Sequence, residues 1–123
     1  MTNSNTIFGK SAWNTTSDVG ADYNSFFGEG VAGTGTLSTA TNNVGMGWIA
    51  LQDLTSGGSN VAIGLNALKE ITTQANNVAV GREAGASLTS SDNIVIGKRA
   101  LYVHTTGDKN IAIGTDAMGD TDA

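Results

Sequence analysis

The chain lacks cysteine and proline altogether, and it is poor in several other things. Without cysteine there is no disulfide scaffold, no thiolate zinc site and no thiol chemistry. Charged residues make up 14% of the 123 positions, about half the share expected of a soluble domain. Only six of them are basic, against eleven acidic, and the formal net charge is −5. That balance argues against a nucleic-acid surface. A single histidine, His104, makes a histidine-based catalytic or metal site within one chain a poor expectation. No apolar run approaches the ~20 residues of a membrane-spanning helix, so no membrane insertion is expected. The segment Met1-Thr2-Asn3-Ser4-Asn5 has neither a basic region nor an apolar core, and no secretory signal is expected from it. Aromatics are scarce at 6%. What fills the chain instead is glycine (17), threonine (16), asparagine (12) and serine (10). Such a composition leaves two outcomes: disorder, or a regular way of burying small residues.

Regularity is present from end to end. The unit Asn-x-x-φ-Gly, with φ apolar, begins at Asn5, Asn24, Asn43, Asn60, Asn77, Asn93 and Asn110. It closes at Gly9, Gly28, Gly47, Gly64, Gly81, Gly97 and Gly114, with spacings of 19, 19, 17, 17, 16 and 17. Three residues after each Gly stands Ala or Val: Ala12, Val31, Ala50, Ala67, Ala84, Ala100, Ala117. The next position is often large and apolar, as in Trp13, Leu51, Leu68, Leu101 and Met118. Three further on come Leu54, Ile71, Leu88 and, in the sixth unit, His104. A polar turn such as Thr55-Ser56-Gly57-Gly58-Ser59 follows.

The pentapeptide is too short for a helix, and its Val and Ile favour strand. In Asn60-Val61-Ala62-Ile63-Gly64, Val61 and Ile63 share one face and Ala62 takes the other. Both faces are apolar, which implies burial on both sides or a neighbouring chain on one. The Asn suits a left-handed or Asx-turn geometry, and the Gly permits positive φ or a close backbone approach. A repeat of this size, read as two short strands and two turns, is one coil of a β-solenoid. The fold expected is all-β, a parallel solenoid of about seven coils of 16–19 residues. Residues 1–42 form irregular N-terminal coils suited to a cap or docking region, and residues 43–123 form regular repeats. A coil this small encloses little volume, so identical chains are expected to cover the leftover apolar face. A homotrimer is the natural closed form for a fibrous coil.

Asn60-Val61-Ala62-Ile63-Gly64-Leu65-Asn66-Ala67-Leu68, Asn77-Val78-Ala79-Val80-Gly81, Asn93-Ile94-Val95-Ile96-Gly97 and Asn110-Ile111-Ala112-Ile113-Gly114 resemble the head repeats of YadA-like trimeric autotransporter adhesins. They are also similar to repeats of bacteriophage tail and appendage fibres. The likeness covers residues 43–118 well and residues 5–42 more loosely, with Phe8 and Phe27 at the Ile position. It implies a trimeric left-handed β-roll serving as a stalk or head. The units here are longer than those of the adhesin heads, and no stalk or anchor pattern is seen. The lack of a secretory signal and of a stalk or anchor pattern turns the expectation toward a virion fibre, with neighbouring fibre or virion proteins and a host-surface glycan or protein as partners. The adhesin head at a bacterial surface is the alternative.

Few side chains in the sequence suggest chemistry, and no cofactor is expected. His104 reads as a stand-in for Leu54, Ile71 and Leu88; in a trimer, three copies near the axis could hold an ion. The aspartates Asp92, Asp108, Asp116, Asp120 and Asp122 recur in turns without a calcium-loop pattern. Gly28-Glu29-Gly30 and Gly45-Met46-Gly47 lack the rest of a phosphate loop. No pair of carboxylates stands out for acid–base work, so no enzyme is expected. Thr34-Gly35-Thr36 does not recur, which removes an ice-binding ladder. Variable pairs after the repeat glycines, including Arg82-Glu83, Lys98-Arg99 and Thr115-Asp116, mark outward corners suited to inter-chain ion pairs. Trp13, Tyr23, Phe26, Phe27 and Trp48 concentrate in the first coils, where a cap or a contact surface is expected.

Overall fold

The computed structural model describes residues 4–13, 20–34, 36–103 and 106–119. It is all-β, with seven three-residue strands: β1 (Thr6–Phe8), β2 (Ser25–Phe27), β3 (Val44–Met46), β4 (Val61–Ile63), β5 (Val78–Val80), β6 (Ile94–Ile96) and β7 (Ile111–Ile113). They form one parallel sheet in chain order, each strand in register with the next, so that Val61 lies on Val78 and Ile63 on Val80. The seven strands delimit about six turns of a β-solenoid. Strand register is indifferent to coil length: β2, β3 and β4 stay aligned across a 19-residue unit followed by a 17-residue one.

Two strands per coil were expected, and one is found among the described residues. The remainder of each coil is turn, and its backbone explains why. Beside the repeat glycine, three positions per unit take the left-handed conformation: the residue before the Asn, and the second and fourth after the Gly. Ser59, Asn66 and Leu68 do so in one unit, and Asn76, Glu83 and Gly85 in the next. A chain that bends this often has no room for a second strand. The expectation that the Asn itself takes that geometry is corrected: its predecessor does, as at Tyr23, Asn42, Ser59, Asn76, Asp92 and Lys109.

Left-handed backbone costs an ordinary residue roughly 1–2 kcal/mol. At the fourth position Leu51, Leu68 and Leu101 bear that cost, and each is fully or almost fully buried. Burying a leucine contributes about 1.5–3 kcal/mol, enough to offset it. Those leucines pack with Leu54, Ile71 and Leu88, with the Ala column Ala50, Ala67, Ala84 and Ala100, and with the inward strand positions Ala62, Ala79 and Val95. Large and small residues compensate between adjacent coils. Phe26 sits over Gly45, where a Cβ would come 3.2 Å from the ring and 2.5 Å from Val31 Cγ1. Gly85 makes the same allowance for Leu68, whose Cδ2 lies 3.0 Å from a Cβ placed there.

Backbone hydrogen bonds run from coil to coil around the turn as well as along the sheet. Asn66 N–H donates to the Trp48 carbonyl, Leu68 N–H to Ala84 and Asn76 N–H to Gly58, all at 3.0–3.1 Å. A proline at any of these positions would delete one of them, in keeping with its absence from the chain.

Candidate interaction surface

The recurring unit builds two internal columns, and these hold the coils together. The first is the asparagine column. Each Asn backbone N–H and side-chain amide donate to the Oδ1 of the Asn one coil earlier: Asn60 to Asn43 at 2.9 and 3.1 Å, Asn77 to Asn60 at 3.0 and 3.3 Å, Asn93 to Asn77 at 3.0 and 3.1 Å. Asn24 donates likewise to Asn5, and Asn110 to Asn93. The second amide hydrogen reaches a carbonyl in the next coil, as from Asn43 to Gly57 and from Asn60 to Gln74, both 2.9 Å. A side-chain amide combines two donor hydrogens with an acceptor oxygen, so identical side chains stack with each group met. Asn24, Asn43, Asn60, Asn77 and Asn93 are fully buried, so the column is structural and closed to ligands.

The second column is glycine. Gly9, Gly28, Gly47, Gly64, Gly81 and Gly97 have φ between +133° and +139°. A Cβ on any of them would stand 2.2–2.6 Å from the carbonyl oxygen of the next repeat glycine. Side chains are therefore excluded there on two grounds: the backbone conformation and the space.

What the solenoid offers to the outside is the other face of the sheet. The middle residue of each strand from β2 to β7 points inward and is buried, while its two neighbours point out. The outward residues are apolar over most of the length: Phe27, Met46, Ile63, Val80, Ile96 and Ile113 in one row, with Val44, Val61, Val78, Ile94 and Ile111 beside it. In the middle coils they are half-covered by their own neighbours; Phe8 is 75% exposed, and Ile111 and Ile113 are each 65% exposed. Of the two apolar faces read from the pentapeptide, the inner one is filled by the chain itself. The outer one is a stripe on the surface.

The aromatic group of the first coils divides. Phe26 is fully buried and meets the half-buried Trp13 edge-on, with ring centroids 6.3 Å apart and planes at 77°. Phe27 joins the outer stripe, and Tyr23 and Trp48 are exposed at the turns on either side of it. Among the corner pairs, Arg82 lies 3.2 Å from Glu83, and Arg99 lies 3.9 Å from Glu83 and 3.8 Å from Asp116. This charge column joins successive coils of one chain. Arg99 also covers the Tyr102 ring, with its guanidinium carbon 4.6 Å from the centroid. Aspartates in the turns link coils: Asp92 accepts from the Asn76 amide at 3.0 Å, and Asp108 from Ser91 N–H at 2.9 Å. His104, Asp120 and Asp122 lie outside the described residues. Among the described residues no three His, Asp or Glu side chains gather in a metal-binding group. Comparison with protein-family models, with curated proteins and with solved structures gives no match.

Proposed function

We propose that this chain is a structural segment of a trimeric fibre, made of left-handed β-roll coils and carried on a bacteriophage tail or appendage fibre. The outer apolar stripe is the observation that carries the reading. Val, Ile, Met and Phe side chains recur on it in every coil from β2 onward, at the spacing of the strands. Turn and corner positions carry the Ser, Thr, Asn, Asp and Lys that a solvated surface requires. A straight row of outward Ile and Val gains about 1.5–3 kcal/mol for each side chain fully covered. Three identical rods with their stripes on a common axis cover one another and keep the same polarity, as a fibre needs. The repeat motif resembles fibres that assemble in this way. The work of such a segment is mechanical: a stiff spacer, with the exposed aromatics of the first coils available to a neighbouring fibre segment or a host-surface molecule.

Native mass by light scattering tests it. The expected result is a folded species near three times 12.5 kDa that persists in mild denaturant. A folded, stable species of 12.5 kDa would refute it.

A further inference from the structure

We infer that the outer stripe fixes how neighbouring chains pair: the strand-end row of one chain packs on the strand-start row of a second copy, coil against the same coil, with Phe27 on the partner's Ser25 and Lys98 facing the partner's Asp92. The inference rests on the fibre reading above and adds to it the register and the flanks that meet.

Symmetry limits the choices. Copies related by rotation about an axis along the rod run in one direction at one height. The side that follows the strand in one chain then meets the side that precedes the strand in the next. The two outward rows differ in bulk. In the early coils the strand-end row is large, with Phe27 and Met46, and the strand-start row is smaller, with Ser25 and Val44. By β6 both rows are isoleucine, Ile94 and Ile96. Phe27, Met46, Ile94 and Ile96 all remain exposed on the isolated chain, so each has area left for a partner. Set coil against the same coil, the rows compensate: a phenyl ring lies on a serine, Met46 on the partner's Val44, and isoleucine on isoleucine. The rods then stay evenly spaced, and side chains can interdigitate without voids. Rods running in opposite directions bring like rows together at any offset. Phe27 then meets another bulky side chain, and the strand-start rows leave a gap at Ser25. The core already uses the same compensation, in Phe26 over Gly45.

The flanks agree in charge. Beside the strand-end row runs the position after the repeat Gly, and beside the strand-start row the position before the Asn. In the coil of β6 these are Lys98 and Asp92, both exposed. Among the described residues Lys98 forms no ion pair within its own chain, whereas Arg82 and Arg99 do. Asp92 accepts from the Asn76 amide through Oδ1, and its Oδ2 has no bond among the described residues. Same-coil pairing sets Lys98 against the partner's Asp92 and Arg82 against the partner's neutral Asn76. At these two positions it opposes no like charges in any coil from β2 to β6. A slip of one coil either faces Lys98 with the partner's Lys109 or leaves it opposite the partner's Asn76, without a counter-charge. Complementary charge of this kind fixes register.

The chain has no cysteine, so introduced cysteines report contacts without background. The test is oxidation of the 123-residue chain carrying Asp92→Cys with Lys98→Cys, read on a non-reducing gel. A disulfide needs Cα atoms within about 7 Å. Within one chain β6 separates the two positions, so a link joins two chains. The expected result is a covalent three-chain band. A second pair, Asn76→Cys with Arg82→Cys, is expected to give the same band from the coil of β5. Asn42→Cys with Lys98→Cys spans three coils, an offset of roughly 14 Å, and is expected to stay unlinked. Positions 76 and 92 belong to a left-handed column that accepts side chains from Tyr23 to Lys109, and all four linked sites are exposed, so the coils are expected to keep their circular dichroism. A three-chain native mass by light scattering with neither pair linked would overturn the inference and leave the trimer. A link formed by Lys98→Cys alone, which needs the same flank of two chains face to face, would overturn it as well, and so would a link across three coils. Covalent species that stop at two chains would refute the trimer and leave the pairing standing. A folded single chain would refute both.

Discussion

Replacing Asn60 with leucine isolates what the asparagine column does. The two side chains are of similar size, so the change is mainly one of hydrogen bonding. In the native coil the Asn60 amide donates to Asn43 Oδ1 and to the Gln74 carbonyl, and its Oδ1 accepts from the Asn77 backbone and side chain. Leucine removes all four bonds. Asn43 Oδ1 still receives the backbone N–H of residue 60, and the Asn77 amide still reaches the Ser90 carbonyl. The groups stranded are the buried Asn77 N–H and the Gln74 carbonyl. A buried polar group left without a partner costs about 1–3 kcal/mol, so the expected loss for the two is roughly 2–6 kcal/mol. Asn110→Ala is the comparison, because Asn110 ends the column and no further coil leans on its Oδ1 among the described residues. Its amide gives up two hydrogen bonds, to Asn93 Oδ1 and to the Gly107 carbonyl, both at exposed or partly buried positions, so its expected loss is smaller, about 1–2 kcal/mol. The assay is urea unfolding followed by circular dichroism at one fixed protein concentration, since any assembly makes stability concentration-dependent. Native-state hydrogen exchange then locates the damage at the Asn77 amide. If Asn60→Leu is as stable as the parent, or if both variants lose the same amount, the column is not what ties the coils.

Other perturbations follow from the same geometry. Gly64→Ala drives a Cβ to 2.5 Å from the Gly81 carbonyl at φ +133° and is expected to cost about 3 kcal/mol or more, whereas at Gly114→Ala the Cβ meets nothing nearer than Ala117 Cβ at 3.8 Å among the described residues and bears only backbone strain of about 1–3 kcal/mol; their thermal midpoints should differ accordingly. Leu68→Ala empties a fully buried position and is expected to lose about 2–5 kcal/mol in urea unfolding. Asn60→Asp inserts a carboxylate facing Asn43 Oδ1; burial and that acceptor raise its folded-state pKa above the usual ~3.9, so the variant should gain stability as pH falls through the raised pKa, read by urea unfolding at several pH values. Ile96→Ser with Ile113→Ser removes part of the outer stripe without touching the core, and light scattering should show the assembled mass falling toward that of one chain while the coils remain folded.

The coil spacing and the parallel stacking were legible because they follow from repetition: a motif that recurs seven times must make the same contacts seven times. The inward and outward sides of the strand were legible for the same reason, since alternation in Asn60-Val61-Ala62-Ile63-Gly64 places Ala62 against Val61 and Ile63. The role of the Asn was not. A single Asn before a strand reads as a turn residue, and the turn conformation belongs instead to its predecessor, whose identity varies from Tyr23 to Asp92 to Lys109. That variability hides the signal, because the position is defined by backbone geometry and tolerates any side chain that can point into solvent. The second expected strand failed for a related reason. Leu51, Leu68 and Leu101 look like strand residues by type, but they sit in left-handed backbone that burial sustains. Local propensity is worth a few tenths of a kcal/mol to about 1 kcal/mol, and the core outweighs it.

The corner charges show the same limit from the side of function. Arg82, Glu83, Arg99 and Asp116 were expected to pair between chains, and the sequence carries no mark that distinguishes a partner above from a partner beside. Within one chain, the repeat spacing supplies a partner above. Successive coils lie ~4.8 Å apart, so a residue at one corner is always within reach of the same corner one coil away. Arg99 thus meets Glu83 on one side and Asp116 on the other before any second chain is involved. Contacts of this exposed kind contribute roughly 0–1 kcal/mol each, too little to hold a fibre together. The stripe is different in scale as well as in chemistry. Its apolar residues repeat in every coil from β2 to β7, and each one covered by a partner would contribute about 1.5–3 kcal/mol.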